Sequence, residues 1–142
     1  MGWEKLQQIA FIPLAAFAVL LLVGGTFMPD LRQALIYQPR ANRIEAAMDE
    51  LSTRQRGMLR SKGHFQSFAS NEAQPHLKTL GVDLVSWPSE DFLFEAVVQP
   101  NKHLRLRALP RPAAVRDLRV SARMYVADIS PAGAVTSRGW YP

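Results

Sequence analysis

The chain has 142 residues, of which 48% are hydrophobic and 20% charged, which suits one small domain rather than two. It contains no cysteine, which excludes disulfides, thiolate-held zinc, a covalently attached c-type haem and a thiol nucleophile. The net charge is +5; Glu4 and Lys5 are the only charged side chains before residue 29, so 16 of the 17 basic and 11 of the 12 acidic residues lie in 29–142. Such an excess suits nucleic acid, anionic lipid, an acidic partner or a merely solubilising surface.

Residues 1–8 form a short tail with Trp3 where an interfacial aromatic belongs. Residues 9–28, IAFIPLAAFAVLLLVGGTFM, carry no charge. As a helix rising about 1.5 Å per residue they would measure roughly 30 Å, the thickness of a bilayer core. The run is long for a signal peptide and Val23-Gly24-Gly25 does not match a cleavage site, so it reads as an uncleaved, single-pass signal anchor. Ile9, Phe11, Phe17, Leu20, Leu21, Leu22 and Phe27 are its expected lipid-facing residues, with Pro13 tolerated in the first turns. No ionisable group lies in the run, so it offers no proton relay, ion site or cofactor ligand. Orientation is contradictory. Lys5 on one flank against Arg32, Arg40 and Arg43 on the other places the C-terminal domain in the cytoplasm. The short tail and single span instead have the layout of a domain exported behind its anchor, across a bacterial inner or thylakoid-type membrane.

Residues 29–62 read as an amphipathic helical segment broken near Pro39. Asp30 is placed to cap the first part, and Asn42-x-x-Glu45 has the spacing of a capping box for the second. Ile44, Met48, Leu51, Gln55 and Met58 then recur at helical spacing, and Gly63 marks the stop. This stripe suits packing on a sheet or, alternatively, on a partner helix. Residues 63–142 read as a loop and antiparallel sheet: a short helix over 71–80 ended by Gly81, then strands over 91–99, 103–109, 118–126 and 134–136. In the third strand the alternation puts Leu118, Val120, Ala122, Met124 and Val126 inward, so Met124→Asp is expected to unfold the domain. The fold class is α+β, a long N-terminal helix packed on a small antiparallel sheet.

This order of elements resembles that of type IV pilins and pseudopilins. FMPDLRQAL is similar to the proline-containing exit from the pilin membrane segment, KGHFQSF and LGVDL to the segments after the helix, and MYVADISPAGAVTSRGWYP to the final hairpin. Gly2-Trp3 imitates the processing junction, but Gln7 stands where the family has its glutamate, and Glu4 falls too early. The resemblance therefore implies a pilin-like domain on an unprocessed anchor. Its function would be assembly with other protein subunits, in a filament or secretion apparatus. Alternatively it would be an accessory subunit of a larger photosynthetic or respiratory membrane complex.

Three histidines, His64, His76 and His103, have no helical metal-ligand spacing. Glu90, Asp91 and Glu95 cluster without a matched base or nucleophile, and no phosphate loop, dinucleotide fingerprint or nucleophile elbow occurs. No catalysis and no cofactor are expected. Arg105, Arg107, Arg119 and Arg123 fall on the outward face of the expected strands, with Arg111 and Arg116 in the connection between them. They read either as a solvated sheet face or as a docking surface for an acidic protein patch or anionic head groups. Nucleic acid ranks third because no stacking aromatics interleave with them. Trp140 and Tyr141 close the chain, either as the last contact of the sheet or as a partner anchor.

Overall fold

The computed structural model describes residues 31–142. The tail 1–8 and the apolar run 9–28, with the anchor residues Ile9, Phe11, Phe17, Leu20, Leu21, Leu22 and Phe27, lie outside the described residues. Among the described residues no helix is long and apolar enough to cross a membrane. Residues 37–142 form one compact unit, and residues 31–36 belong to a separate one.

Among the described residues the first long element is α1, Gln38–Lys62, preceded by a π-helical stretch over Gln33–Tyr37. Pro39 sits in the first turn of α1, where its missing N–H is least costly, and the wider π-helical turn ends just before it. The helix type thus changes just before Pro39, without the interruption of helical structure expected there. The capping box does not form. Asn42 lies inside α1 and accepts a hydrogen bond from the Gln38 side chain at 2.9 Å. At the other end Gly63 adopts a left-handed φ of 80° and donates its N–H to the Leu59 carbonyl, the stop that Gly63 implied.

Ile44, Met48, Leu51 and Gln55 are fully buried along α1, and the surface they meet is a sheet. Its strands are β1 (Phe92–Val98), β2 (Leu104–Pro110), β3 (Met124–Ile129) and β4 (Val135–Tyr141), an antiparallel meander in the order β1-β2-β3-β4. Phe94, Ala96, Leu104, Leu106, Ala108 and Ile129 point from it into the core. A short helix α2, Ala73–Thr79, ends before Gly81 as expected and adds Leu77 and Leu80 to the same core. Gln55 makes two hydrogen bonds to the backbone of Gln66, at 2.7 and 2.9 Å, so this buried amide ties the loop after α1 to the helix. A bridge between Phe68 and Ala96 then lays that loop along the outer edge of β1.

Two further expectations are corrected. Residues 118–123 are not strand: a one-turn helix α3, Pro112–Arg116, follows β2, and Leu118 adopts a positive φ of 58° just after it. The strand starts at Met124 with the opposite phase. Tyr125, Ala127 and Ile129 face the core, while Met124 is half-buried on the other face. Four successive apolar residues, Met124 to Ala127, fit either phase, so pairing with β2 decides it. The second correction is the last strand, which runs through Tyr141 rather than ending at Thr136, drawing the terminal aromatics into the sheet.

Tyr125→Asp should therefore unfold the domain, whereas Met124→Asp should lower the thermal midpoint by only a few degrees. An uncompensated charge is expensive in the core and cheap on a solvated face. Circular dichroism melts of the two variants check the phase of β3.

Candidate interaction surface

One face of the sheet packs on α1, and among the described residues the other is open. Across the open face, charged side chains are paired in register. Arg107 of β2 meets Glu95, its neighbour on β1. Arg105 holds Asp128 of β3 through two bonds, Nε to Oδ1 at 2.9 Å and Nη2 to Oδ2 at 3.1 Å. Ser137 of β4 donates to the same carboxylate at 3.2 Å. The Arg105 hydrogen bond, helped by its charge and by Ser137, outweighs burial and holds the Asp128 carboxyl below its ordinary 3.8. The same hydrogen bond raises Arg105.

The expected arginine face is thus divided. Arg105 and Arg107 lie on the open face, but as halves of cross-strand pairs that neutralise them. Arg119 and Arg123 lie outside any strand, because the segment 118–123 is the connection after α3. Arg123 is exposed.

The aromatic tail is divided as well. Trp140 turns toward the helix side, edge-on to Tyr125 and Phe92 at centroid distances of 5.2 and 6.2 Å, and its indole N–H donates to Glu45 of α1 at 2.8 Å. Glu45 therefore receives the last strand instead of capping its own helix. Burial pushes the Tyr125 hydroxyl above its ordinary 10.0, assisted by the charge of Asp49. Tyr141 turns the other way and is 45% exposed. It pairs with Met124, and Leu93 pairs with Leu109, so the end of the open face nearest Phe92 carries an apolar row across the sheet. Val135 to Arg138 of β4 are exposed along an edge with no neighbouring strand among the described residues, whereas the Phe68–Ala96 bridge occupies the far edge at β1.

The densest polar cluster lies at the start of α1. Asp91, just before β1, is buried and accepts from Arg40 of α1 and from Arg119 Nε at 2.8 Å. Arg119 also reaches Asp117 at 3.2 Å. Arg43 donates to the Ser86 carbonyl and Arg111 Nε to the Ser89 carbonyl, both at 2.8 Å, while the Arg111 amide donates to the Asp91 carbonyl at 2.8 Å. Sequence reasoning treats Asp91 as a strand-edge residue and does not connect it to Arg40, because the contact spans 51 positions. The only local signal was a carboxylate directly before an apolar strand, where burial demands a partner.

His76 stacks on Phe68 at 5.7 Å and bonds the Gln66 side chain at 2.6 Å, so it is tied into the loop–helix contact. Among the described residues no group of three or more histidines and carboxylates is placed to hold a metal ion. No protein family, curated protein or solved structure matches the chain.

Two outcomes are expected. Asp91→Ala strands two guanidiniums and should cost about 1.5–3 kcal/mol in denaturant unfolding, the range for a hydrogen bond to a charged group. A carboxyl pKa lowered on folding contributes stability above its unfolded value that is lost as pH falls through the folded one. Stability should therefore drop below the ordinary 3.8 of Asp128, and Arg105→Met should move the Asp128 carboxyl, followed by NMR titration, back up toward that value.

Proposed function

We propose that this chain is a single-span, membrane-anchored, pilin-like structural subunit that acts through protein–protein contacts and performs no catalysis. The observation that carries this reading is the order of parts. A twenty-residue uncharged run is followed in sequence by a helix whose apolar stripe is buried on a four-stranded antiparallel sheet. The contact surface differs from the arginine face expected from sequence, since Arg105 and Arg107 are already paired and Trp140 is committed to the domain's own core. What remains for a partner subunit is the β4 edge with the neighbouring apolar row, including Tyr141. An edge strand with unused backbone donors and acceptors is a template for pairing. Because the Phe68–Ala96 bridge occupies the β1 edge, strand pairing through β4 would not propagate from sheet to sheet.

The test is native size in mild detergent, with mass spectrometry of the intact chain and of co-migrating proteins. A discrete large complex containing the unprocessed chain supports an accessory subunit. Recovery in sheared filaments, cut after Gly2, supports a true pilin despite Gln7. Recovery as a monomer from the soluble fraction sinks the proposal. Val135→Lys with Tyr141→Asp, both at exposed positions, should change stability by no more than about 0.5 kcal/mol each while releasing the partner.

A further inference from the structure

The connection after β2 contains an unusual residue. The Leu118 amide donates to the Val115 carbonyl at 3.1 Å and the Arg119 amide to the Ala114 carbonyl at 2.9 Å, the bonds that close the end of α3. Leu118 occupies the left-handed position of that ending at φ 58°, where glycine is the unstrained residue and a side chain costs about 1–2 kcal/mol. A leucine tolerated in such a place would ordinarily be buried, yet Leu118 is 47% exposed. It gains nothing from the core for its strain.

Its surroundings are basic. Arg119 ties this connection to Asp91, and Asp91 to Arg40, so the Leu118 turn lies at the end of the domain where α1 begins. Arg43 reaches this end through the Ser86 carbonyl and Arg111 through Ser89, and Arg116 and Arg123 flank the connection in sequence, so six arginines accompany four carboxylates, Asp83, Glu90, Asp91 and Asp117. Arg43, Arg116 and Arg123 are exposed and form no ion pair among the described residues. An exposed leucine in a turn flanked in sequence by Arg116, Arg119 and Arg123 matches a bilayer interface, where the apolar group enters the acyl boundary and guanidiniums meet phosphates.

We infer that this end of the domain, centred on Leu118, docks on the anionic lipid headgroups of the chain's own membrane. The inference rests on the anchor reading above. Nine residues, 29–37, connect the apolar run to α1; helical they measure about 14 Å, and fully extended about 30 Å. The tether therefore keeps the Leu118 turn at high effective concentration over the surface, so modest electrostatic attraction suffices. The proposed protein contacts use the β4 edge and the apolar row on the strands, whereas the exposed Arg43 and Arg116 lie on α1 and α3.

The test uses the full chain in nanodiscs, one set of phosphatidylcholine alone and one with phosphatidylglycerol added, read by hydrogen–deuterium exchange. Amides of 112–123 should exchange about tenfold more slowly in the anionic discs, as expected for one or two arginines at a charged surface. Added salt should remove the difference. Arg43→Gln with Arg116→Gln should abolish it, and Arg43→Lys with Arg116→Lys should retain most of it. Leu118→Gly should weaken the protection while leaving the melting temperature equal or higher, which a purely structural leucine would not allow. Equal exchange in both discs overturns the inference while leaving the anchor intact. Protection that depends on protein concentration and not on lipid charge assigns the face to a second copy and overturns it too. Failure of the chain to enter discs of either composition sinks the anchor reading and this inference together.

Discussion

Burial of the Ile44–Met48–Leu51 stripe of α1 against the inward side chains of the sheet is the constraint on which the rest of this domain depends. A four-stranded meander buries only one face, and without a helix across it Leu104, Leu106, Ala108 and Ile129 would lie in water. Once α1 is seated, the other contacts are placed by it. Glu45 and Asp49 reach Trp140 and Arg138 of β4, Gln55 fastens the loop after the helix, and Arg40 meets Asp91. Glu45, Asp49 and Arg40 lie beside the apolar stripe and Gln55 closes its end, so the seam is apolar along its length and hydrogen-bonded at its margins.

The charged residues follow a related logic. On the open face, arginine and carboxylate sit opposite one another on adjacent strands, which favours the correct register and disfavours a slip. The pairing neutralises the middle of the sheet, whereas at the start of α1 arginines outnumber carboxylates. Part of the basic excess of the sequence lies at this end, and Arg54, Arg56, Arg60 and Lys62 put another part at the far end of α1. The lipid reading attaches to the Leu118 turn and not to the strands because there arginines unpaired among the described residues accompany an exposed apolar side chain.

Much of the architecture was legible because its signals are local. The 3.6-residue stripe from Ile44 to Gln55, the left-handed stop at Gly63, and the apolar alternation around Phe92–Val98 and Leu104–Leu109 each depend on residues close in sequence. The phase of β3 was not legible, since Met124, Tyr125, Val126 and Ala127 are apolar on both faces and the alternation before them is carried by residues that form no strand. The polar cluster was equally hidden: a helix at Arg40, a loop at Asp91 and a turn at Arg119 have no common motif and meet only in three dimensions.

The sequence by itself determined the α+β class, the uncharged run at 9–28 and the helix stripe that must be buried, because periodicity, length and the absence of charge are readable without a partner. The tertiary structure alone decided which arginines are neutralised, which of the two terminal aromatics is spent on the core, and which strand edge stays open. Those outcomes depend on what lies across a strand pair or beneath a helix, and a one-dimensional chain does not state its neighbours across 51 positions.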